Sequence, residues 1–346
     1  MNTPSVDAVI GGEIQRVEAR EIEANELNNI DMGDTVLNCN IRGFRSNVEH
    51  IKEFLNGIDH PERIKLIGLT ESYDCGTKNN YLEDHVLLSK VRSSNPNRGG
   101  VAFLIQNDLQ YTIPNIPNDF ADGIFESLTI IIKDLKLIAS IIYRPTGVAG
   151  VSDPDIFNEK LRDFHANLNK LQESKNYTTV IMGDFNFNLR NTENSQTADY
   201  INEMVENLFT PTNSSINSRV TNTSGTLIDQ VWINNQGRVQ HSFVINDTYV
   251  SDHLINGISL RDRHKTGTTM FKTRKITKEK EMAFINKLWA TDWSPVTTEN
   301  ECDKKWEIFT NKVKAALDQT FPENDRGPKN KRKKAQKTNA YFNEAS

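Results

Sequence analysis

From Thr35 onward the chain alternates short apolar runs with polar loops, and the runs are too short and too rich in β-branched residues to read as helices. "TVLNCN", "IKLIGLTES", "HVLLSKV", "GGVAFLI", "GIFESLTIII", "LKLIASIIYR", "TTVIMGD", "TLIDQVWIN" and "SDHLINGISL" each read as a strand. Val180, Ile181 and Met182 are apolar without alternation, the composition of a strand covered on both faces. Amphipathic segments lie between the runs. "SNVEHIKEFLNGI" places Val48, Ile51, Phe54 and Leu55 on one helical face, with Ser46 and Glu49 at capping-box spacing. "SDPDIFNEKLRDFHANLNKL" offers Ser152 or Asp153 as N-cap, Pro154 in the first turn and a stripe of Ile156, Phe157, Leu161, Phe164, Leu168 and Leu171. "ADYINEMVENLF" is a weaker third helix. The runs Phe125–Ile132 and Leu137–Tyr143, joined by "KDLK", read as an antiparallel hairpin. The pattern predicts an α/β fold with strands packed face to face and helices outside.

The same pattern divides the chain into four regions. Residues 1–34 are rich in Glu, Asp and Asn with few large apolar residues, and read as an acidic disordered leader. Residues 35–262 hold the main domain. Residues 263–322 take in most of the linker-like stretch "RDRHKTGTTMFKTRK", which starts at Arg261, and continue into helices over 276–289 and about 299–321. The second helix spaces Trp306, Phe309, Val313 and Leu317 helically, with Thr298 and Glu301 as a capping box. These helices are expected to pack on the main domain or on each other. Residues 323–346, with "RGPKNKRKKAQK", form a basic tail that suits a nuclear import signal, a nucleic-acid contact or a solvated end.

Composition narrows the function. A formal charge of -5 and a pI near 5.9 argue against coating a polyanion non-specifically, so any nucleic-acid contact must come from local basic patches or a metal. Cys39, Cys75 and Cys302 are widely spaced and form no CxxC pattern, which points to a reducing compartment without a disulfide framework or structural zinc. No signal peptide is recognisable, and no apolar run approaches the roughly 18 residues of a membrane span.

The polar residues at the ends of these apolar runs carry the chemistry. "VLNCN" ends in Asn38 and Asn40, "LIGLTES" in Glu71, "ASIIYRP" in Tyr143, "VIMGDFN" in Asp184 and Asn186; "GTLIDQV" carries Asp229, and "YVSDHLI" delivers Ser251, Asp252 and His253. Each alone has an ordinary reading: a surface carboxylate, a strand aromatic, a turn acceptor or a core histidine. Together, in this order, they are specific.

The motifs "LNCN", "LTES", "GDFN", "LIDQV" and "SDH" resemble the signatures of the endonuclease/exonuclease/phosphatase superfamily. Within it, "NRGGVAFLI", "IIYRPTG" and "SRVTNTSGTLIDQVWINN" are most similar to the apurinic-like endonuclease domain of non-LTR (LINE-type, jockey-like) retrotransposons. The resemblance covers about residues 35–260 and continues faintly through the terminal helices. No Y-x-D-D polymerase motif is present, so the resemblance implies a truncated element or a stand-alone derivative.

This resemblance implies a four-layer αββα sandwich of the DNase I-like or exonuclease III-like type with a C-terminal helical extension. It also implies a Mg²⁺ site, with Mn²⁺ as a substitute, at Glu71 with Asn38 beside it and Asn40 and Asp252 in support. Asp184 would position and deprotonate the attacking water, and Asn186 would hold the phosphate or the water. His253 would donate to a phosphate oxygen with Asp229 orienting its ring, and Tyr143 would donate as well. The expected reaction is a DNA nick leaving a 3′-hydroxyl, which in a retrotransposon primes reverse transcription. Expected partners are DNA and, beyond it, element RNA or a reverse transcriptase domain, with a nuclear location and no membrane contact. Arg42, Arg45, Arg98, Arg144, Arg190 and Arg219, with Thr221, lie near the motifs as candidate substrate contacts. The loop "TPTNSSINSRVTN" is a candidate determinant of target choice. Three alternatives stay open: a superfamily phosphatase acting on phosphoinositides, nucleotides or other small phosphoesters, a damage-specific repair enzyme, and a non-enzymatic nucleic-acid-binding remnant.

Overall fold

The computed structural model describes residues 17–76, 81–117, 120–121, 123–146, 153–175, 177–221, 223–246, 251–261, 271–274 and 278–326. The chain divides into two compact units, of which Ile14–Arg263 is the larger. Its strands are β1 (Ala19–Ile22), β2 (Asp34–Asn40), β3 (Ile64–Thr70), β4 (His85–Lys90), β5 (Val101–Gln106), β6 (Tyr111–Thr112), β7 (Phe120–Ala121), β8 (Phe125–Ile132), β9 (Leu137–Tyr143) and β10 (Thr178–Asp184). They continue with β11 (Thr210–Pro211), β12 (Arg219–Val220), β13 (Gly225–Thr226), β14 (Asp229–Ile233), β15 (Val239–Ile245) and β16 (Ile255–Leu260). Helices α1 (Phe44–Asn56), α2 (Pro154–Lys175) and α3 (Ser195–Glu206) connect them.

Strand alternation sorts the apolar residues into three layers. In the first sheet, ordered β1-β15-β16-β2-β3-β5-β4, Leu37 and Cys39 of β2 face a core shared with Val48, Ile51 and Phe54 of α1. Val36, next to Leu37 and so on the opposite face, joins Phe103, Ile141, Val180 and Met182 in a core between the sheets. The second sheet runs β11-β14-β10-β9-β8-β6, with β7 paired to β8. Its outer face packs Ile138, Ile142 and Ile181 against Phe157, Leu161 and Phe164 of α2 and Tyr200 of α3. Three cores separate four layers, so the unit is the αββα sandwich of the DNase I-like type. The β8–β9 pair is antiparallel, as its hairpin pattern predicts.

Several details differ from the sequence reading. The second half of the expected disordered leader is built into the fold: β1 pairs in parallel with β15, and Ile22, Leu27 and Met32 are buried in the α1-side core. The pattern hid this because those apolar anchors are spread among charged neighbours. Residues 1–16 lie outside the described residues. Helix α1 starts at Phe44 rather than Ser46, and the Ser46–Glu49 box does not cap it. Gly43 is the cap, and the Gly43 and Phe44 amides donate to the carbonyls of Glu71 and Ser72. Ser152 lies outside the described residues, while the Asp153 carboxylate accepts from the Asp155 amide at 2.8 Å. Helix α3 begins earlier than its apolar pattern, capped by Asn194 accepting from the Thr197 amide.

In the second unit, β17 (Phe271–Arg274) pairs antiparallel with β18 (Glu323–Arg326), so the first residues of the expected tail form a strand. Helices α4 (Lys278–Ala290) and α5 (Ser294–Thr298) pack on α6 (Cys302–Thr320). Trp293 and Trp306 both contact the Phe309 ring. The Thr298–Glu301 capping box is absent: Thr298 ends α5, with its hydroxyl on the Ser294 carbonyl, and Glu301 caps α6 without a side-chain bond. The linker residues 262–270 and the basic run after Arg326 lie outside the described residues. Among the described residues, no helix is long and apolar enough to cross a membrane.

Candidate active site

Register delivers three side chains in a row. Asp184 at the end of β10 pairs with Tyr143 of β9 on one side and Asp229 of β14 on the other. All three continue the inward-facing positions of their strands, so they project between the sheets at one rim. The opposite sheet contributes Asn38 and Asn40 from β2, and Glu71 immediately after β3. Asn40 Nδ2 donates to Asp184 Oδ2 at 2.9 Å and to Glu71 Oε1 at 3.0 Å. Glu71 also accepts from Tyr143 Oη and from Tyr73 Oη, both at 3.2 Å.

His253, just before β16, completes the rim. Its Nδ1 lies 2.8 Å from Asp229 Oδ2, which also accepts from Ser218 Oγ at 3.0 Å. Asn256 Nδ2 donates to the Asp229 carbonyl, and Ser251 Oγ donates to the Asn40 carbonyl, both at 2.8 Å. The pair is thus held from both sheets, and Nε2 is the ring atom left to act on a substrate.

The charges shift as this burial requires. Burial and then the neighbouring Asp229 charge raise the Asp184 pKa well above the carboxylate range, against the lowering effect of His253 and Asn40. Burial alone would lower the His253 pKa, but the charge and hydrogen bond of Asp229 raise it overall. Burial, then Glu71 and Asp184, hold the Tyr143 phenol protonated.

Backbone strain gathers at the same place. Among the described residues, six non-glycine residues have positive φ, and four of them flank this rim: Arg42 (47°), Glu71 (50°), Tyr73 (56°) and Asn186 (52°). Such conformations cost free energy and persist where the surroundings impose them, which makes this rim a candidate functional site. Gly183, at φ 147°, is required by close approach: a Cβ there would collide with the Ile142 carbonyl oxygen of β9.

The structure revises several expected roles. Asn40, not Asn38, is the partner of Glu71; Asn38 Nδ2 donates to Asn256 Oδ1 at 2.9 Å and to the Gly183 carbonyl at 3.4 Å. The two asparagines share a face, and the pairing of Asn40 with Thr70 decides which reaches Glu71. Asp252 is not a free metal ligand: Arg42 and Arg219 each approach its carboxylate to 2.9 Å, which ties up both arginines as well. Arg144 is buried, bonded to the Asn186 carbonyl at 2.9 Å and stacked 4.0 Å from the Phe187 centroid, so it is a structural cation rather than a DNA contact. Asn186 Nδ2 in turn donates to the Arg144 carbonyl at 2.7 Å, so this donor braces the rim instead of reaching for phosphate. Thr221 Oγ1 closes the β12–β13 turn with Ser224. Arg190 bonds to Asn217, Arg45 pairs with Asp74, and Arg98 is solvent-exposed. Tyr73, Ser218 and Asn256 escape the sequence reading; only Tyr73, two residues after Glu71, has a signal in its position.

The donor set fits a divalent cation. The Asp184 and Asp229 carboxylates gather beside a single histidine, Glu71 is joined to Asp184 through Asn40, and Asp229 Oδ1 and Asn38 Oδ1 are buried without a hydrogen-bond partner. Ligand atoms of Asp184, Asp229 and His253 also lie within 4.8 Å of one another. Asp229 already engages His253, so carboxylate oxygens such as those of Glu71 suit a hard cation better than a set that uses the imidazole.

This two-sheet sandwich with carboxylates and a His–Asp pair at its rim is the architecture of a phosphoester hydrolase. The chain belongs to the Endonuclease/Exonuclease/phosphatase family, which matches residues 37–253. Its fold is similar to that of the AP endonuclease LMAP from Leishmania major (12% identity, 68% of this chain and 90% of that chain, TM-score 0.55). It is also similar to the 3′-5′ exonuclease NExo from Neisseria meningitidis (12% identity, 66% and 100%, TM-score 0.51). The endonuclease domain of TRAS1, a telomere-specific non-LTR retrotransposon, matches at 12% identity over 66% and 99% with a TM-score of 0.49, too distant to separate subgroups within the family. A comparison with curated protein sequences gave no match.

Proposed function

We propose that the protein is a divalent-metal-dependent phosphodiesterase that nicks DNA and leaves a 3′-hydroxyl, in the manner of a retrotransposon target-site endonuclease. The observation that carries this reading is the convergence of the Asp229–His253 pair with Asp184, Asn40, Glu71 and Tyr143 on one rim. Asp184, with its raised pKa, is matched to take a proton from an attacking water near neutral pH. His253, with its raised pKa, keeps a donor for a non-bridging phosphate oxygen, and Asp229 fixes its tautomer and ring. Tyr143 stays protonated and can pass its hydrogen bond from Glu71 to phosphate. What a divalent cation supplies, when held by Glu71 and its neighbours, is neutralisation of charge on the phosphate and the leaving oxygen, with Mg²⁺ or Mn²⁺ suited to oxygen donors.

DNA is favoured over a small phosphoester by the sequence resemblance of "NRGGVAFLI", "IIYRPTG" and "SRVTNTSGTLIDQVWINN" to the retrotransposon enzymes. The hairpin formed by β12 and β13, bonded to the Asp252 carbonyl through the Val220 amide, is suited to set target choice. The test is nicking of supercoiled plasmid by the full chain, with and without chelator, beside Asp184→Ala and His253→Ala. Metal-dependent nicking by wild type alone is expected. Release of inorganic phosphate from small phosphoesters without nicking would replace this reading with a phosphatase, and equal activity in all three proteins would sink the site.

A further inference from the structure

Beyond the groups at the rim itself, one buried ion pair stands behind them. Glu126 lies on β8 directly opposite Tyr143 and is fully buried. Arg92, just past β4 in the other sheet, donates through Nε to Glu126 Oε1 at 2.6 Å. The Gly100 amide donates to Oε2 at 2.6 Å and the Gly123 amide to Oε1 at 3.0 Å. A buried ion pair is a poor source of stability, because desolvation offsets its attraction. Here it has direction, since each carboxylate oxygen has an assigned donor.

The pair grips a turn that touches the active site. Gly99 and Gly100 both have positive φ (67° and 80°), and a Cβ at Gly99 would collide with the Arg92 guanidinium. The Gly99 carbonyl accepts from the Tyr73 amide at 2.9 Å, and the Gly100 carbonyl from the Ser72 amide at 3.2 Å. Glu71 and Tyr73 are the strained residues of that segment, and the Tyr73 hydroxyl is bonded to Glu71. Contacts therefore run without a gap from Glu126 and Arg92, through the two glycines, to the Glu71 carboxylate.

We propose that Glu126 and Arg92 are positioning residues: by fixing Gly99 and Gly100 they hold residues 71–73 in their left-handed backbone and so aim the Glu71 carboxylate. The inference rests on the reading of this rim as a phosphodiesterase site. Neither residue touches the substrate position; each acts through the turn.

The test compares full-length wild type with Arg92→Met/Glu126→Gln, a variant that removes both charges together and keeps an oxygen to accept a glycine amide. Amide hydrogen exchange at Ser72 and Tyr73 is expected to speed up roughly tenfold or more while β10 amides keep their wild-type rates. In the nicking assay kcat is expected to fall roughly tenfold or more, with KM within about twofold of wild type. Unchanged exchange at Ser72 and Tyr73 overturns the proposal. So does faster exchange in β10 to the same degree, because the pair would then be a stabiliser of the whole fold, and so does accelerated exchange with unchanged kcat. Absence of nicking by wild type would instead count against the proposed function, and the exchange measurement would still decide whether the pair orders the turn.

Discussion

Asn40 Nδ2 donates to Asp184 Oδ2 at 2.9 Å although the two residues are 144 positions apart and belong to different sheets. The same amide nitrogen reaches Glu71 at 3.0 Å, so one neutral side chain stands between two carboxylates. A carboxylate in that position would add a third negative charge, and an aliphatic residue would leave two charges facing each other without a shared donor.

Asn40→Ala is therefore expected to raise the Asp184 pKa further, since the Asn40 hydrogen bond is one of the groups holding it down. The acid limb of the kcat–pH profile should move to higher pH, because Asp184 must be ionised to accept a proton. At neutral pH the loss should be roughly 10–100-fold. An acid limb that stays at its wild-type position would show that Asp184 is not the base.

Asp229→Asn keeps the size of the side chain while removing the charge that raises the His253 pKa. The alkaline limb, where His253 loses its proton, should then move to lower pH. Loss of activity should be about 10²–10⁴-fold, near that of His253→Ala, since a misoriented ring does little better than none. The two substitutions combined should cost little more than either alone, which a double-mutant cycle measures.

His85 gives a stability effect of definite sign. It is buried on β4 with Nε2 3.3 Å from the Ile64 carbonyl, and burial lowers its folded pKa below the unfolded value of about 6.5. Between those two values the unfolded chain binds more protons, so this contribution is full above about pH 6.5 and declines as pH falls toward the folded pKa. His253 acts in the opposite sense, because its folded pKa is raised. The difference in urea midpoint between wild type and His85→Gln isolates the first effect. That difference should shift against wild type from pH 7.5 to 5.5, and a constant difference would refute it.

The strands around the site were legible because each is an almost unbroken apolar run whose polar residues begin where it leaves the sheet. β15 was not legible, since Gln240, His241 and Ser242 interrupt its pattern, and the inward Ser242 is satisfied by the Thr212 carbonyl. At the site, residue types were readable and pairings were not. Asn38 and Asn40 share parity, so only the β2–β3 register separates them. Arg144 read as a candidate substrate contact because nothing local in "IIYRP" announces that the Phe187 ring will cover it. The Glu126–Arg92 pair was hidden for the same reason, as both residues sit in ordinary contexts and meet only when the sheets pack.

Gly183 offers a direct check on the packing of β9 against β10. Replacing it with Ala would drive a methyl group into the Ile142 carbonyl, and the left-handed φ adds strain. A loss of about 4–5 kcal/mol or more is expected, at the upper end of single-substitution effects. Gly183→Ala should therefore lower the urea midpoint steeply or abolish soluble expression. A near-wild-type midpoint would mean that the two strands do not approach as described.

Residues 17–33 provide the last test, because an acidic disordered segment and a structural one respond oppositely to deletion. Ile22, Leu27 and Met32 are buried in the α1-side core, and β1 covers the edge of β15 through a four-residue parallel register. The segment is ordered, so its contacts offset its ordering entropy, and removing it uncovers the apolar surface of the α1-side core against which Ile22, Leu27 and Met32 pack, at a net cost of roughly a few kcal/mol. A chain beginning at Asp34 should melt about 10 °C or more below one beginning at Ile14, given a shift of about 2–4 °C per kcal/mol for a domain of this size. It should also expose the β15 edge and aggregate more readily. Deletion of residues 1–13 serves as the control. Equal melting temperatures for the chains starting at 14 and at 34 would return the segment to the status of a disordered leader.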